Sequence, residues 1–266
     1  MPFQEIHAPL QWRCVDFISD LHLQESEPKS VEVWKKYLSD SSADAIFILG
    51  DLFEVWVGDD VLSASNNGSF EMQCSLALAA GAKKRSLYFL HGNRDFLLGS
   101  DMAKASGMQI LSDPCVFNFG NQRYLLSHGD ELCTGDAPYQ KFRAVVRSQP
   151  WQTTFLATPL HERLHQARTI RNASEARKND MAQSGEPWVD IDPSAAVQWM
   201  NEAKALHFIH GHTHEGRDHP IASQQGEGVR HVLPDWDGSA NPARGWALRL
   251  CLSPSGEVGK QRVAVF

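Results

Sequence analysis

Residues 89–97 read FLHGNRDFL: an apolar run ends at Leu90, and His91, Gly92, Asn93, Arg94 and Asp95 follow without a gap. Nearly continuous apolar character over a few residues marks a strand covered on both faces, as in a parallel sheet flanked by helices. A polar cluster at the end of such a strand lies where α/β sheets collect ligands. Four other stretches repeat the pattern. CVDFIS (14–19) runs into Asp20-Leu21-His22, and AIFIL (45–49) runs into Gly50-Asp51. YLLS (124–127) runs into His128-Gly129-Asp130, and HFIH (207–210) into Gly211-His212-Thr213-His214. The glycines let the backbone turn tightly beside a shared site.

Helical patterns separate some of these runs: VEVWKKYL (31–38), FEMQCSLALAAGAKK (70–84) and PSAAVQWMNEAKAL (193–206). After Gly211 the chain reads as turns and strands, ending in GWALRLCLS (245–253) and KQRVAVF (260–266). The order predicts an α/β fold, a β-sandwich core flanked by helices. Residues 1–136 and 191–266 form its two parts, and 137–190 form a helical cap insertion between the fourth and fifth runs.

Composition narrows the classes. The chain has 266 residues, 42% of them hydrophobic, and no stretch near the ~18 apolar residues that span a bilayer. Its first residues lack a basic segment followed by an apolar one, so no secretory signal is expected. The cysteines (Cys14, Cys74, Cys115, Cys133, Cys251) are odd in number and scattered, which predicts a reducing cytoplasm, no disulfide framework and no thiolate metal site. The net charge of −7 disfavours nucleic acid as a partner. It also hides an asymmetry. Residues 140–178 carry eight Lys or Arg against two Glu, so the segment is +6 and the remainder −13. Phe142, Val145, Val146, Trp151, Phe155, Leu156, Leu160 and Leu164 share that segment, which suits an anionic, partly apolar ligand or an anionic lipid surface.

Each strand-end motif alone is weak, since a single Asp-x-His or Gly-Asp arises by chance and an isolated histidine is more often a hydrogen-bonded structural residue. All five in this order are another matter. Alternate residues on the extended Gly-His-x-His segment address two neighbouring ions. Oxygen and imidazole donors without sulfur suit manganese or a similar divalent ion, with zinc and iron still open.

The five motifs resemble the calcineurin-like metallophosphoesterase superfamily, with its D-x-H, G-D, G-N-H-D/E, H and G-H-x-H pattern. The resemblance implies one ion held by Asp20, His22, Asp51 and His214, and a second by Asp51, Asn93, His128 and His212. Asp51 bridges them, and a hydroxide between the ions attacks phosphorus. Asp51, Asn93, Arg94 and His128 are then the catalytic group. Arg94 departs from the pattern, because the superfamily usually has histidine there, a donor of protons to alkoxides. Arginine does this poorly but binds phosphate well, which predicts a leaving group that needs no proton.

A narrower resemblance covers FISDLHL, LGDLFEVWVGDD, GNRDFLLG, SHGDELCTGDAPYQKFR, IHGHTH and VLPDWDG. These are similar to the UDP-2,3-diacylglucosamine hydrolase family, which cleaves a nucleotide-sugar pyrophosphate into UMP and a lipid monophosphate in lipid A biosynthesis. It implies substrate contacts from Asn93, Arg94, Asp136, Tyr139, Ser174, Lys178 and His212, and a lipid-linked nucleotide sugar as partner. It also implies a monomer lying peripherally on the cytoplasmic face of the inner membrane of a Gram-negative bacterium, with two Mn²⁺ ions. Two alternatives stay open: another phosphoesterase for small nucleotides or phosphodiesters, and a non-catalytic scaffold of the same fold.

Overall fold

The computed structural model describes residues 3–63, 68–184 and 189–266, with the side chains of all but 173, 175 and 177–184. All five apolar runs are strands: β2 (Cys14–Ile18), β3 (Ala45–Leu49), β4 (Ser86–Leu90), β7 (Gln122–Ser127) and β8 (His207–His210). The remaining strands are β1 (Gln4–His7), β5 (Gln109–Ile110), β6 (Cys115–Phe119), β9 (Asp218–Ser223), β10 (Gly226–Val232), β11 (Trp246–Leu252) and β12 (Val258–Ala264). They form two six-stranded sheets in the orders β1-β6-β7-β8-β10-β9 and β12-β11-β2-β3-β4-β5. The strands β2 to β5 run parallel, as do β7 and β8 in the other sheet.

Alternation along each strand places the layers. Phe17, Phe47, Phe117, Tyr124 and Ile209 fill the space between the sheets, with Phe47 and Phe117 ring centres 4.6 Å apart. The other face of β3, through Ile46 and Ile48, meets helices α1 (Pro28–Asp40), α2 (Phe70–Ala82) and α3 (Ser100–Ser106) by way of Trp34, Leu78 and Met102. Beyond the second sheet, α7 (Pro193–Ala203) buries Ala196, Met200 and Ala203 against Val116, Leu125 and Phe208. Asp192 caps that helix by accepting the amides of Ser194 and Ala195 at 2.8 and 3.1 Å.

Between β7 and α7 the chain forms α4 (Ala137–Val146), α5 (Gln149–Leu156) and α6 (Leu160–Ser184) with no strand among the described residues. Trp151, Phe155, Leu160, Leu164 and Ala167 lay their apolar sides on the helical side of the β2–β5 sheet. Phe155 is buried, and full burial of a side chain of its size contributes about 1.5–3 kcal/mol, more than an exposed ion pair supplies. One buried cation adds a specific tie: Arg163 donates to the carbonyls of Thr158 and Val57 and to the Asp60 carboxylate.

The cysteine expectation needs correction. Cys14 and Cys251 form a disulfide, with an S–S distance of 1.99 Å. Antiparallel pairing of β2 with β11 sets the two residues opposite one another, with Cα atoms 4.2 Å apart. Residues 237 positions apart carry no local signal of such a pairing, so the scattered cysteines no longer argue for a reducing compartment. The other three are buried thiols.

Candidate active site

All five strand ends deliver their polar residues to one edge of the sandwich. Asp20, His22, Asp51, His212 and His214 take left-handed backbone conformations, with φ between 48° and 65°. Among the described residues Lys204, at a helix C-terminus, is the one further non-glycine case. Such conformations cost on the order of 1 kcal/mol or more each and persist where neighbours over-determine them. Here the neighbours are backbone: the amides of Asp20, His22 and Leu23 donate to the carbonyls of Gly50, Asp51 and Leu52 at 3.2, 3.0 and 2.9 Å. The His212 amide donates to Asp20 Oδ2 at 2.9 Å. Two glycines allow the close approach: a Cβ on Gly92 would lie 2.1 Å from Asp51 Oδ1, and one on Gly211 2.3 Å from Asp20 Oδ2.

The side chains fall into two groups that share carboxylates. Asp20 Oδ1 lies 3.1 Å from His214 Nε2 and 3.9 Å from His22 Nε2. Asn93 Oδ1 lies 2.9 Å from His128 Nε2 and 3.0 Å from His212 Nδ1, and Asp51 Oδ1 is 3.7 Å from His128 Nε2. Ligand atoms of Asp20, His22 and His214 lie within 4.8 Å of one another, and so do those of Asp20, Asp51 and His128. Metal–ligand bonds of about 2.0–2.2 Å bring adjacent ligands about 3 Å apart, so this spacing fits ions. His128 Nδ1 faces the Leu49 carbonyl at 2.9 Å, which leaves Nε2 to point inward.

The electrostatics also ask for cations. Burial pushes the Asp51 carboxyl up, and the Asp20 charge adds to this against the pull of His128 and Arg94. Burial would also raise Asp20, but His214, His128 and His22 outweigh it and hold it far below the usual range. Burial would lower His128, yet Asp51, Asp20 and Asp130 raise it to about 9. In this geometry an imidazolium supplies positive charge where a divalent ion fits, and a carboxylate, imidazole and amide donor set suits one.

A cavity of about 400 Å³ opens beside these residues. Asp51, Asn93, Arg94, His212 and His214 line it, as do Val57, Phe96, Phe142, Trp151, Phe155 and Ile170 from the body and from α4, α5 and α6. Asp136, Tyr139 and Ser174 also line it. Asp136 caps α4 by accepting the Tyr139 amide at 3.1 Å. The Tyr139 hydroxyl donates to the buried Asp130 carboxylate, and its ring lies 6.1 Å from that of His212. Lys178 lies on α6, and its side chain falls outside the described residues.

Four residues absent from the sequence-based set hold the site together. Asp95 binds the turns after β3 and β4, and Glu54 touches His22 and Arg94. Asp130 accepts from Arg143 Nε at 2.8 Å, and Arg147 donates to the Gly92 carbonyl at 2.8 Å. Asp95 and Asp130 had a local hint, since they close the Gly-Asn-Arg-Asp and His-Gly-Asp clusters that follow two of the apolar runs. His207, His210 and His219, which flank the Gly-His-x-His motif, lie outside the ligand groups.

Comparison with known proteins finds a matching family and relatives. The family model for calcineurin-like phosphoesterases matches residues 15–216. A Chromohalobacter salexigens protein described as UDP-2,3-diacylglucosamine hydrolase is 41% identical over 239 residues, covering 88% of this chain and 91% of its own. Proteins of the same description from Stenotrophomonas maltophilia and Bordetella pertussis are each 39% identical, over 247 and 230 residues. They cover 87% and 85% of this chain, and 96% and 87% of their own.

Proposed function

The chain belongs to the calcineurin-like phosphoesterase family, alongside UDP-2,3-diacylglucosamine hydrolases, and from that premise we propose that it cleaves the pyrophosphate of UDP-2,3-diacylglucosamine. The products are UMP and 2,3-diacylglucosamine 1-phosphate, a step of lipid A biosynthesis. The observation that carries this reading is the junction of a metal-ligand cluster with an apolar cavity under the cap helices. A hydrolase for small soluble nucleotides has no use for the apolar half.

Asp20, His22, Asp51 and His214 would hold one divalent ion, and Asp51, Asn93, His128 and His212 the other, with manganese the preferred metal. When bound, such a pair acidifies water and neutralises phosphoryl oxygens. The protein's own groups then set the reaction's direction. Water enters at the α-phosphorus, and the sugar 1-phosphate leaves without needing a proton. Arg94 is 8% exposed in its side chain and sits at 2.7 Å from Glu54 and 3.4 Å from Asp51 Oδ2, fixed to donate to the departing phosphate. Asp136, Tyr139, Ser174 and Lys178 are assigned to the sugar and its phosphate, and residues 137–190 to a cap over the acyl chains.

Among the described residues no helix is long and apolar enough to cross a membrane. Phe142, Val145, Leu156 and Ile170 are exposed on cap helices within the basic segment. That surface suits peripheral attachment to an anionic membrane, and the same proposal puts the protein, as a monomer, on the cytoplasmic face of the inner membrane. The direct test is turnover of UDP-2,3-diacylglucosamine with and without Mn²⁺, with both products identified. Metal-dependent release of UMP and the lipid monophosphate supports the reading; no turnover under either condition overturns it.

A further inference from the structure

We infer that Glu54 is a positioning residue that holds the cap and the metal-ligand turns in one register. Glu54 stands three positions after Asp51, in the segment GDLFE. Its backbone is fixed, because its amide donates to the Leu23 carbonyl at 3.2 Å beside the bridge between Leu23 and Phe53. Its two carboxylate oxygens serve different elements. Oε2 lies 3.4 Å from His22 Nδ1, on the turn after β2. Oε1 accepts from Arg94 Nη1 at 2.7 Å, on the turn after β4. The same oxygen accepts from Arg171 Nε of cap helix α6, 117 residues away in sequence.

Each contact has a physical consequence. The Glu54 carboxylate lies 3.4 Å from the outer nitrogen of His22, a charge contact rather than a hydrogen bond, and its field favours the ring orientation and ligand strength a metal site needs. A shared carboxylate also lets two guanidinium groups, which repel one another, stand together on the cavity wall that Glu54, Arg94 and Arg171 line. The Glu54 side chain is 17% exposed and that of Arg171 21%, so solvent screens this pairing only in part. A displacement of α6 is therefore felt at Glu54, and through it at His22 and Arg94.

The turnover arm of the test rests on the proposed hydrolase reading; the metal and exchange arms do not. The experiment compares wild type, Glu54→Gln, Arg171→Ala and the double variant. It measures Mn²⁺ binding by calorimetry, hydrogen–deuterium exchange over residues 160–172, and kcat and KM. Glu54→Gln should weaken Mn²⁺ binding by about 10–100-fold. It should also speed exchange in the helix and lower kcat more than it raises KM, with the melting temperature nearly unchanged. Arg171→Ala should speed exchange and weaken Mn²⁺ binding by less than Glu54→Gln does, and the double variant should exchange no faster than Glu54→Gln alone. A Glu54→Gln protein with wild-type metal affinity and exchange would overturn the inference. So would strictly additive exchange effects, or loss of metal affinity that merely tracks a drop in melting temperature. Absence of turnover in wild type would count against the substrate alone.

Discussion

Asp95 takes the backbone amide of Leu52 on its Oδ2 at 2.7 Å, so the turn after β4 grips the turn after β3. The grip is wider than one bond, since Gly92 donates to Oδ1 at 2.9 Å and the amides of Asp51 and Phe53 approach at 3.3 Å. Burial, reinforced by the Asp51 charge, pushes this carboxyl up to about 7 against those amides. Asp95→Asn turns an amide group toward donors that then lack an acceptor. A buried donor left so costs about 1–3 kcal/mol. Chemical denaturation should register that loss, and Mn²⁺ affinity should fall with it. Unchanged values of both would remove Asp95 from the account.

Gly92→Ala is the sharper probe of the same junction. Its Cβ would lie 2.1 Å from Asp51 Oδ1, so the shared carboxylate must move. We expect bound Mn²⁺ to fall from two ions per chain and kcat to drop by at least about 100-fold. Metal analysis and steady-state kinetics on the folded variant measure both. Two ions bound with near-normal kcat would show that Asp51 need not stand where it does.

Arg94→His tests the leaving-group argument. Arginine stays charged and donates to phosphate, whereas histidine supplies a proton to an alkoxide. The ratio of pyrophosphate to alkyl phosphodiester hydrolysis should fall by about tenfold or more. Equal losses on both substrates would contradict the role given to Arg94.

Stability should fall on mild acidification for a reason remote from the metal ligands. Burial drives His231 down to about 4, against the hydrogen bond from its Nδ1 to Asp218 at 2.9 Å. The folded value lies below the unfolded one, near 6.5, so the unfolded chain binds the extra proton. The contribution is therefore complete above pH ~6.5 and is lost as the pH falls toward 4, amounting to about 3 kcal/mol at most. His231→Gln should flatten the stability profile over that window. Parallel profiles for the two proteins would refute the assignment.

The sequence exposes those parts of the molecule whose signal is local. Asp20, Asp51, Asn93, His128 and His212 each end an apolar run, so strand and polar residue are read together, and all five runs are strands. The strand β1 was not legible: Gln4-Glu5-Ile6-His7 is polar and three of its four positions are exposed, so burial leaves no alternation. The two-residue β5 and the seven-residue α3 are too short for a period to show. The contacts of Glu54 with Arg171 and of Cys14 with Cys251 join residues 117 and 237 positions apart. Nothing in the neighbourhood of either partner specifies the other, and only the packing of the sheets and of α6 brings them together.

Attack at the α-phosphorus is the most specific part of the proposed reaction, and isotope incorporation reads it directly. UDP-2,3-diacylglucosamine is to be hydrolysed with Mn²⁺ in ¹⁸O-labelled water, and both products weighed by mass spectrometry. The label should appear in UMP and be absent from the sugar phosphate. Label in the lipid monophosphate instead would mean that water enters at the other phosphorus, with the substrate lying in the opposite sense to the one argued.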